Sequence, residues 1–173
     1  MKLKYQILDK ESKAILKLKE VKNFLRISHD YDDSLVKDLI LAATEYAENF
    51  IGKFINVRKI QCSVFQSKRR INIKYTPFNK FLSAEKIVRG EVEDITDSFD
   101  ESNSGESYIE INPIYIDQDM IIKFCCGYGE KTPQAIKMGI LKHVAAMYEL
   151  NENSLDPVDE VRNLYLPYRA FRI

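Results

Sequence analysis

Apolar positions along the chain change period twice, and the changes divide it into three stretches. From Asp32 to Gly52 the spacing predicts a long helix. At ~100° per residue, Leu35, Val36, Leu39, Ile40, Ala42, Ala43, Tyr46, Ala47, Phe50 and Ile51 fall on one half of the cylinder. Lys37, Asp38, Thr44, Glu45, Glu48 and Asn49 take the other half, where Leu41 is the single apolar exception. An arc of ~180° exceeds the ~100° stripe of an ordinary surface helix, so this helix needs at least two neighbours. Leu41 is a candidate contact outside the subunit. Upstream, Leu18 to Ile27 reads as a shorter helix with Val21, Phe24 and Leu25 on one face. Asp30, Asp32 or Asp33 can cap the long helix, and Gly52 suits its left-handed end. The two helices and the acidic turn between them predict an αα-hairpin.

Past Gly52 the period drops to two. Ile60, Cys62 and Val64 alternate, as do Ile71, Ile73 and Tyr75, which predicts strands. Thr76-Pro77 should end the second of these or place it at an edge. Further strands are expected around Lys86 to Arg89, Tyr108 to Ile111 and Met120 to Cys126. The last is so continuously apolar that burial on both faces is expected. The polar, Ser-rich stretch from Glu91 to Ser107 reads as an exposed loop or hairpin tip. Gly127-Tyr128-Gly129 then turns the chain into a second long helix, with Thr132 as N-cap, Pro133 at the first helical position and an end near Leu150. This helix is apolar nearly all round, so it is central or covered by a partner. The predicted class is α+β in a single domain over residues 1–173. Its helical parts run over about 18–52 and 132–173, the αα-hairpin and the second long helix forming a helical core. A β-rich insertion of about 53–126 separates the two long helices.

Composition narrows the function classes. The chain has 173 residues, enough for one well-filled core, and its 26 Lys+Arg equal its 26 Asp+Glu, so net charge selects no polyanionic partner. No run of ~18 apolar residues predicts a membrane span, and the first residues lack the apolar core of a secretory signal. The three cysteines, two of them adjacent, make a poor disulfide framework and read as free thiols in a reducing compartment.

Charge is segregated. Seven basic and one acidic residue lie between Lys68 and Gly90, and ten acidic and no basic residues lie between Glu91 and Ile122. Either two arms of a hairpin neutralise each other, or oppositely charged flanks meet between subunits in a head-to-tail contact that closes into a ring. Lys68, Arg69 and Arg70 are then the candidate inter-subunit residues. A third reading is a small nucleic-acid-binding module using Lys68, Arg69, Arg70 and Lys74, though stacking aromatics beyond Tyr75 are missing.

Catalytic signatures are few. Gly127-Tyr128-Gly129 lacks the third glycine of a dinucleotide turn, and no Walker-type loop exists. His143 or Cys126 in a pocket is the only enzymatic alternative worth keeping, and His143 reads first as a core or interface histidine. No catalytic residue, cofactor or metal is predicted, because the histidines and cysteines lack ligand spacing. The closing segment is unusual for a solvated end. Tyr165, Leu166, Tyr168, Phe171 and Ile173 stand beside Arg162, Arg169 and Arg172, and aromatic and Arg side chains are frequent interface anchors.

Three segments together carry a family likeness: Val21 to Arg26 with Ala42 to Gly52, then Gly127 to Glu149, then Pro167-Tyr168-Arg169. The Val-Lys-x-x-Leu-Arg-like opening, the alanine-bearing helix ending in an aromatic and Gly, the GYG turn followed by Pro and a helix ending near Tyr-Glu, and the terminal PYR resemble the head–tail connector (adaptor) proteins of tailed bacteriophages and prophages. The acidic loop has no counterpart in that pattern. The resemblance implies a non-enzymatic homo-oligomeric ring, assembled in the cytoplasm of the bacterial host and placed at the virion head–tail junction. Such a ring docks under the portal protein and extends the channel, which DNA traverses without sequence-specific binding. It also presents a surface to tail or stopper proteins. With no membrane partner implied, Tyr165, Leu166, Pro167, Tyr168, Arg169, Phe171 and Arg172 become the candidate portal or subunit contact.

Overall fold

A computed structural model describes residues 1–9, 15–99, 107–149 and 159–170. The fold is α+β, with seven strands and four α-helices among the described residues. The chain divides into two compact units, one formed by Met1–Glu11 with Val57–Tyr128 and the other by Ser12–Asn56 with Gly129–Ile173.

The first unit holds every strand. β1 (Lys2–Ile7), β2 (Arg58–Phe65), β7 (Asp119–Cys126), β4 (Phe78–Val88) and β5 (Glu91–Asp94) form one sheet in the order β1-β2-β7-β4-β5. Every neighbour in it is antiparallel. β3 (Arg70–Asn72) and β6 (Tyr108–Glu110) form a separate two-stranded pair. One face of the large sheet is dry: Ile60, Cys62 and Val64 on β2 sit beside Phe124, Ile122 and Met120 on β7, with Phe81 and Ala84 completing it on β4. Ile71, Ile73, Ile109, Ile111 and Tyr115 are also buried in this unit.

The structure departs from the sequence reading at three places here. β7 is not buried on both faces along its length, since Asp119, Ile121 and Lys123 are half-buried and Lys123 pairs with Glu85 at 2.9 Å. Only from Phe124 to Cys126 are successive residues of β7 all buried. The stretch after Glu91 begins as a strand, because Arg89 (φ 52°) and Gly90 (φ 87°) make a two-residue turn with both residues left-handed, which matches strand twist. The unpredicted β1 alternates Leu3, Tyr5 and Ile7 with Lys2, Lys4 and Gln6. Tyr5 is tied down on its inner side, its hydroxyl lying 3.3 Å from both the Asn72 carbonyl and the Lys74 N–H.

The second unit is helical: α1 (Leu18–Leu25), α2 (Asp33–Ile51), α3 (Gln134–Glu149) and α4 (Asp159–Tyr165). α2 buries Val36, Ile40, Ala43, Thr44, Ala47 and Ile51, and ends at Gly52 with φ 68° as expected. Thr44 belongs to the half expected to be polar. It is fully buried instead, its hydroxyl donating to the Ile40 carbonyl at 2.7 Å within its own helix. Conversely Leu39, Leu41, Tyr46, Phe50 and Met147 are only half-buried, and Leu35 is 50% exposed. The apolar arc of α2 is therefore wider than this unit uses.

The acidic turn serves tertiary links rather than caps. Asp32 occupies the N-cap position without capping, and its carboxylate accepts from the Tyr148 hydroxyl at 2.7 Å, joining the last turn of α3 to the start of α2. Lys22 of α1 reaches Asp30 and Asp33, each at 2.6 Å. The hydrogen bond from Lys22 holds the Asp30 carboxyl below the usual range, and the Asp30 hydrogen bond raises the Lys22 ammonium. A depressed carboxyl stabilises above its ordinary pKa and loses that contribution as pH falls through the lowered value. A raised amine stabilises below its ordinary pKa and loses it as pH rises through the higher one. Lys22→Met is thus expected to lower the melting temperature by a constant amount from about pH 5 to 9, with the difference closing below about pH 4. Parallel melting curves of the two proteins at pH 3 and pH 7 measure this. A difference unchanged at pH 3 would refute the link.

Candidate interaction surfaces

The closing segment separates into a buried root and an exposed continuation. Tyr165 is fully buried in the helical unit, with its ring 6.0 Å from that of Phe50 and packed on the bare backbone of Gly139 in α3. Burial pushes its phenol pKa upward. It is a core residue rather than a surface contact. Leu166 is 49% exposed, Pro167 and Arg169 are exposed, and Tyr168 is half-buried. Arg169 stands over the Phe50 ring at 5.5 Å, and the Ala170 N–H donates to the Ile51 carbonyl at 2.7 Å. The segment after α4 is thus fastened beside the end of α2 while Leu166, Pro167 and Arg169 face outward. Phe171 and Arg172 lie outside the described residues.

Lys68, Arg69 and Arg70 are all exposed in the strand unit. Arg69 pairs with Glu110 at 3.0 Å, and Arg70 lies over the Tyr108 ring at 4.2 Å, both across the β3–β6 ladder. Lys86 meets Glu93 at 2.8 Å across the β4–β5 hairpin. Part of the basic run therefore meets the acidic run inside one chain, as the hairpin reading expects. Such exposed pairs contribute ~0–1 kcal/mol each. Lys74 lies 5.3 Å from the Tyr75 ring and Lys86 5.9 Å from the Tyr115 ring. Leu41, on α2 of the other unit, is half-buried.

His143 and Cys126 belong to different units, so neither unit contains both. His143 is 2% exposed and edge-on to Tyr46, with ring centroids 5.0 Å apart, the environment of a core histidine. The Cys126 thiol lies 3.9 Å from the Arg58 carbonyl. Burial also pushes the Cys62 thiol up to about 11, away from the reactive thiolate. Among the described residues no group of three His, Cys, Asp or Glu can hold a metal ion, and no helix is long and apolar enough to cross a membrane.

The sequence did not single out the two edges of the large sheet. On β1, Lys2, Lys4 and Gln6 are exposed, and on β5 all of Glu91, Val92, Glu93 and Asp94 are. Period-two alternation in the first seven residues was the signal for β1.

Comparison with known proteins gives one family and one fold. The family model described as phage gp6-like head-tail connector protein matches residues 15–114. A chain of the structure titled "Neck of empty GTA particle computed with C6 symmetry" is 14% identical at a TM-score of 0.73, covering 98% of this chain and 97% of that one. A chain of "Virion of native gene transfer agent (GTA) particle" is 15% identical at 0.71, covering 98% and 96%. A chain of "Neck of native GTA particle computed with C12 symmetry" is 15% identical at 0.64, covering 97% of each. No curated protein matches the sequence.

Proposed function

The chain belongs to the phage gp6-like head-tail connector family, and from that premise we propose that this structural connector subunit forms a homo-oligomeric ring docked under the portal. The ring extends the DNA channel and presents its far side to a tail or stopper protein. The family match over most of the chain carries the reading. Two similar structures are titled as particle necks with sixfold and twelvefold symmetry, which supports a cyclic assembly. The exposed Leu35 on the apolar arc of α2, and the half-buried Leu41 on its opposite half, support burial by a neighbour. The outward residues after α4 are assigned to the portal or to the adjacent subunit. The burial of His143 and Cys126 favours the structural reading over the enzymatic one.

Withholding this protein from an assembly extract should leave filled heads and free tails unjoined. Adding the purified chain should restore joined particles that carry a ring below the portal. Joined particles formed without it, or no density for it at the junction, would contradict the reading.

A further inference from the structure

The two edges of the large sheet are unlike in charge and alike in what their backbones leave unpaired. The Leu8 N–H donates to the Lys59 carbonyl at 2.9 Å, and antiparallel pairing alternates inward and outward residues. Leu3, Tyr5 and Ile7 on β1 therefore turn their N–H and C=O groups away from β2. On the opposite edge the Ile95 N–H donates to the Ala84 carbonyl at 2.9 Å, which leaves Val92 and Asp94 facing away from β4. Among the described residues none of these backbone groups has another hydrogen-bond partner. An open edge of this kind accepts a further strand.

Strand direction and register state which strand fits. An odd number of alternating strands makes β1 and β5 run the same way. A second copy set beside the first thus continues the sheet through a parallel β5–β1 pair. One cross-strand row runs Lys4, Ser63, Ile121, Glu85, Asp94. Extending that row into the next copy sets Asp94 beside Lys4, on the same face. Glu91, next to Val92, comes within a Debye length of Lys2. Hydrogen bonds from Thr96 keep the Asp94 carboxyl below the usual range, so it stays ionised at neutral pH. Two β1 edges together would oppose Lys2 and Lys4 to their own copies, and two β5 edges would oppose Glu91, Glu93 and Asp94 to theirs.

We propose that the acidic β5 edge of one copy pairs with the basic β1 edge of the next, so that the sheets of neighbouring subunits join head to tail. This rests on the ring reading above and names the contact that builds the ring. A contact between unlike surfaces closes into a ring when its rotation permits.

The test uses the full chain, with sedimentation and particle images as readouts and melting curves as the folding control. Lys2→Glu with Lys4→Glu, or Glu91→Lys with Asp94→Lys, should each weaken self-association by at least about ten-fold through like-charge opposition. Combining all four should restore rings. Val92→Pro removes an outward N–H and leaves the β4 ladder whole, so it should abolish rings at an unchanged melting temperature. Normal rings from Val92→Pro, or from either single-edge reversal, would overturn the edge contact and leave the ring reading standing. A wild-type chain that forms no ring, alone or in joined particles, would overturn both.

Discussion

Tyr165→Ala is expected to destabilise the helical unit by about 3–5 kcal/mol, the range for deleting a fully buried aromatic ring. The ring is 0% exposed and sits where α2, α3 and α4 meet. α3 makes room for it by carrying glycine at 139, where a Cβ would lie 2.9 Å from Cζ and 3.1 Å from Oη of Tyr165. Gly139→Ala should therefore destabilise as well. Alanine gains about 1 kcal/mol as a helix former, but overpacking a ring with no free side costs about 1–3 kcal/mol. Gly139→Ala combined with Tyr165→Leu should cost less than the sum of the two single changes, because the smaller side chain relieves the clash. Tyr165→Phe separates ring from hydroxyl. That hydroxyl is buried without a hydrogen-bond partner among the described residues, so losing it should not lower stability. Urea midpoints of Tyr165→Ala, Gly139→Ala, Tyr165→Leu, the double variant and Tyr165→Phe, each against wild type, measure these terms. A wild-type midpoint for Tyr165→Ala would remove the ring from the core.

Tyr165 also marks where sequence reading stops. Its place among Leu166, Tyr168, Arg162 and Arg169 looked like an interface cluster, because composition cannot tell which side of a short helix faces inward. The distant glycine at 139 was the hidden partner. The turn before α2 makes the same point. Three aspartates before an apolar run read as caps, yet Lys22 and Tyr148 claim them across the fold. Local signals did better wherever backbone geometry alone decides. Gly52 ends α2 as expected, and the helix expected from Asp32 to Gly52 is observed over Asp33–Ile51. Strand periodicity was legible around Ile60 to Val64 because one face there is dry, whereas Met120 to Cys126 was legible as a strand only through its apolar run. Periodicity went unread in β1, where lysines occupy the outer positions, and in β5, whose residues are all exposed. Edge strands carry weak hydrophobic patterns because half of their environment is solvent or a partner. The residues proposed for subunit pairing were for that reason among the hardest to find.

Deleting Pro167 to Ile173 is expected to abolish docking to portal-bearing heads while lowering stability only modestly. The truncation keeps Val161 and Tyr165, so the core of the helical unit is untouched. Among the described residues it removes the Ala170 hydrogen bond to Ile51 and the Arg169 contact over Phe50. Those are worth about 0.5–1.5 and about 0.5–1 kcal/mol, a few degrees of melting temperature in a chain of this size. The expected loss in docking is much larger. An exposed proline, Tyr168 and an exposed arginine follow one another on a root that is already fastened, so a partner has little ordering entropy to offset. Co-sedimentation of the truncated chain with portal-bearing heads, alongside its melting curve, separates the outcomes. Normal docking would show that the segment is not the portal contact. A protein that unfolds would instead assign these residues to the core, and the contact would then have to be sought on the exposed arc of α2.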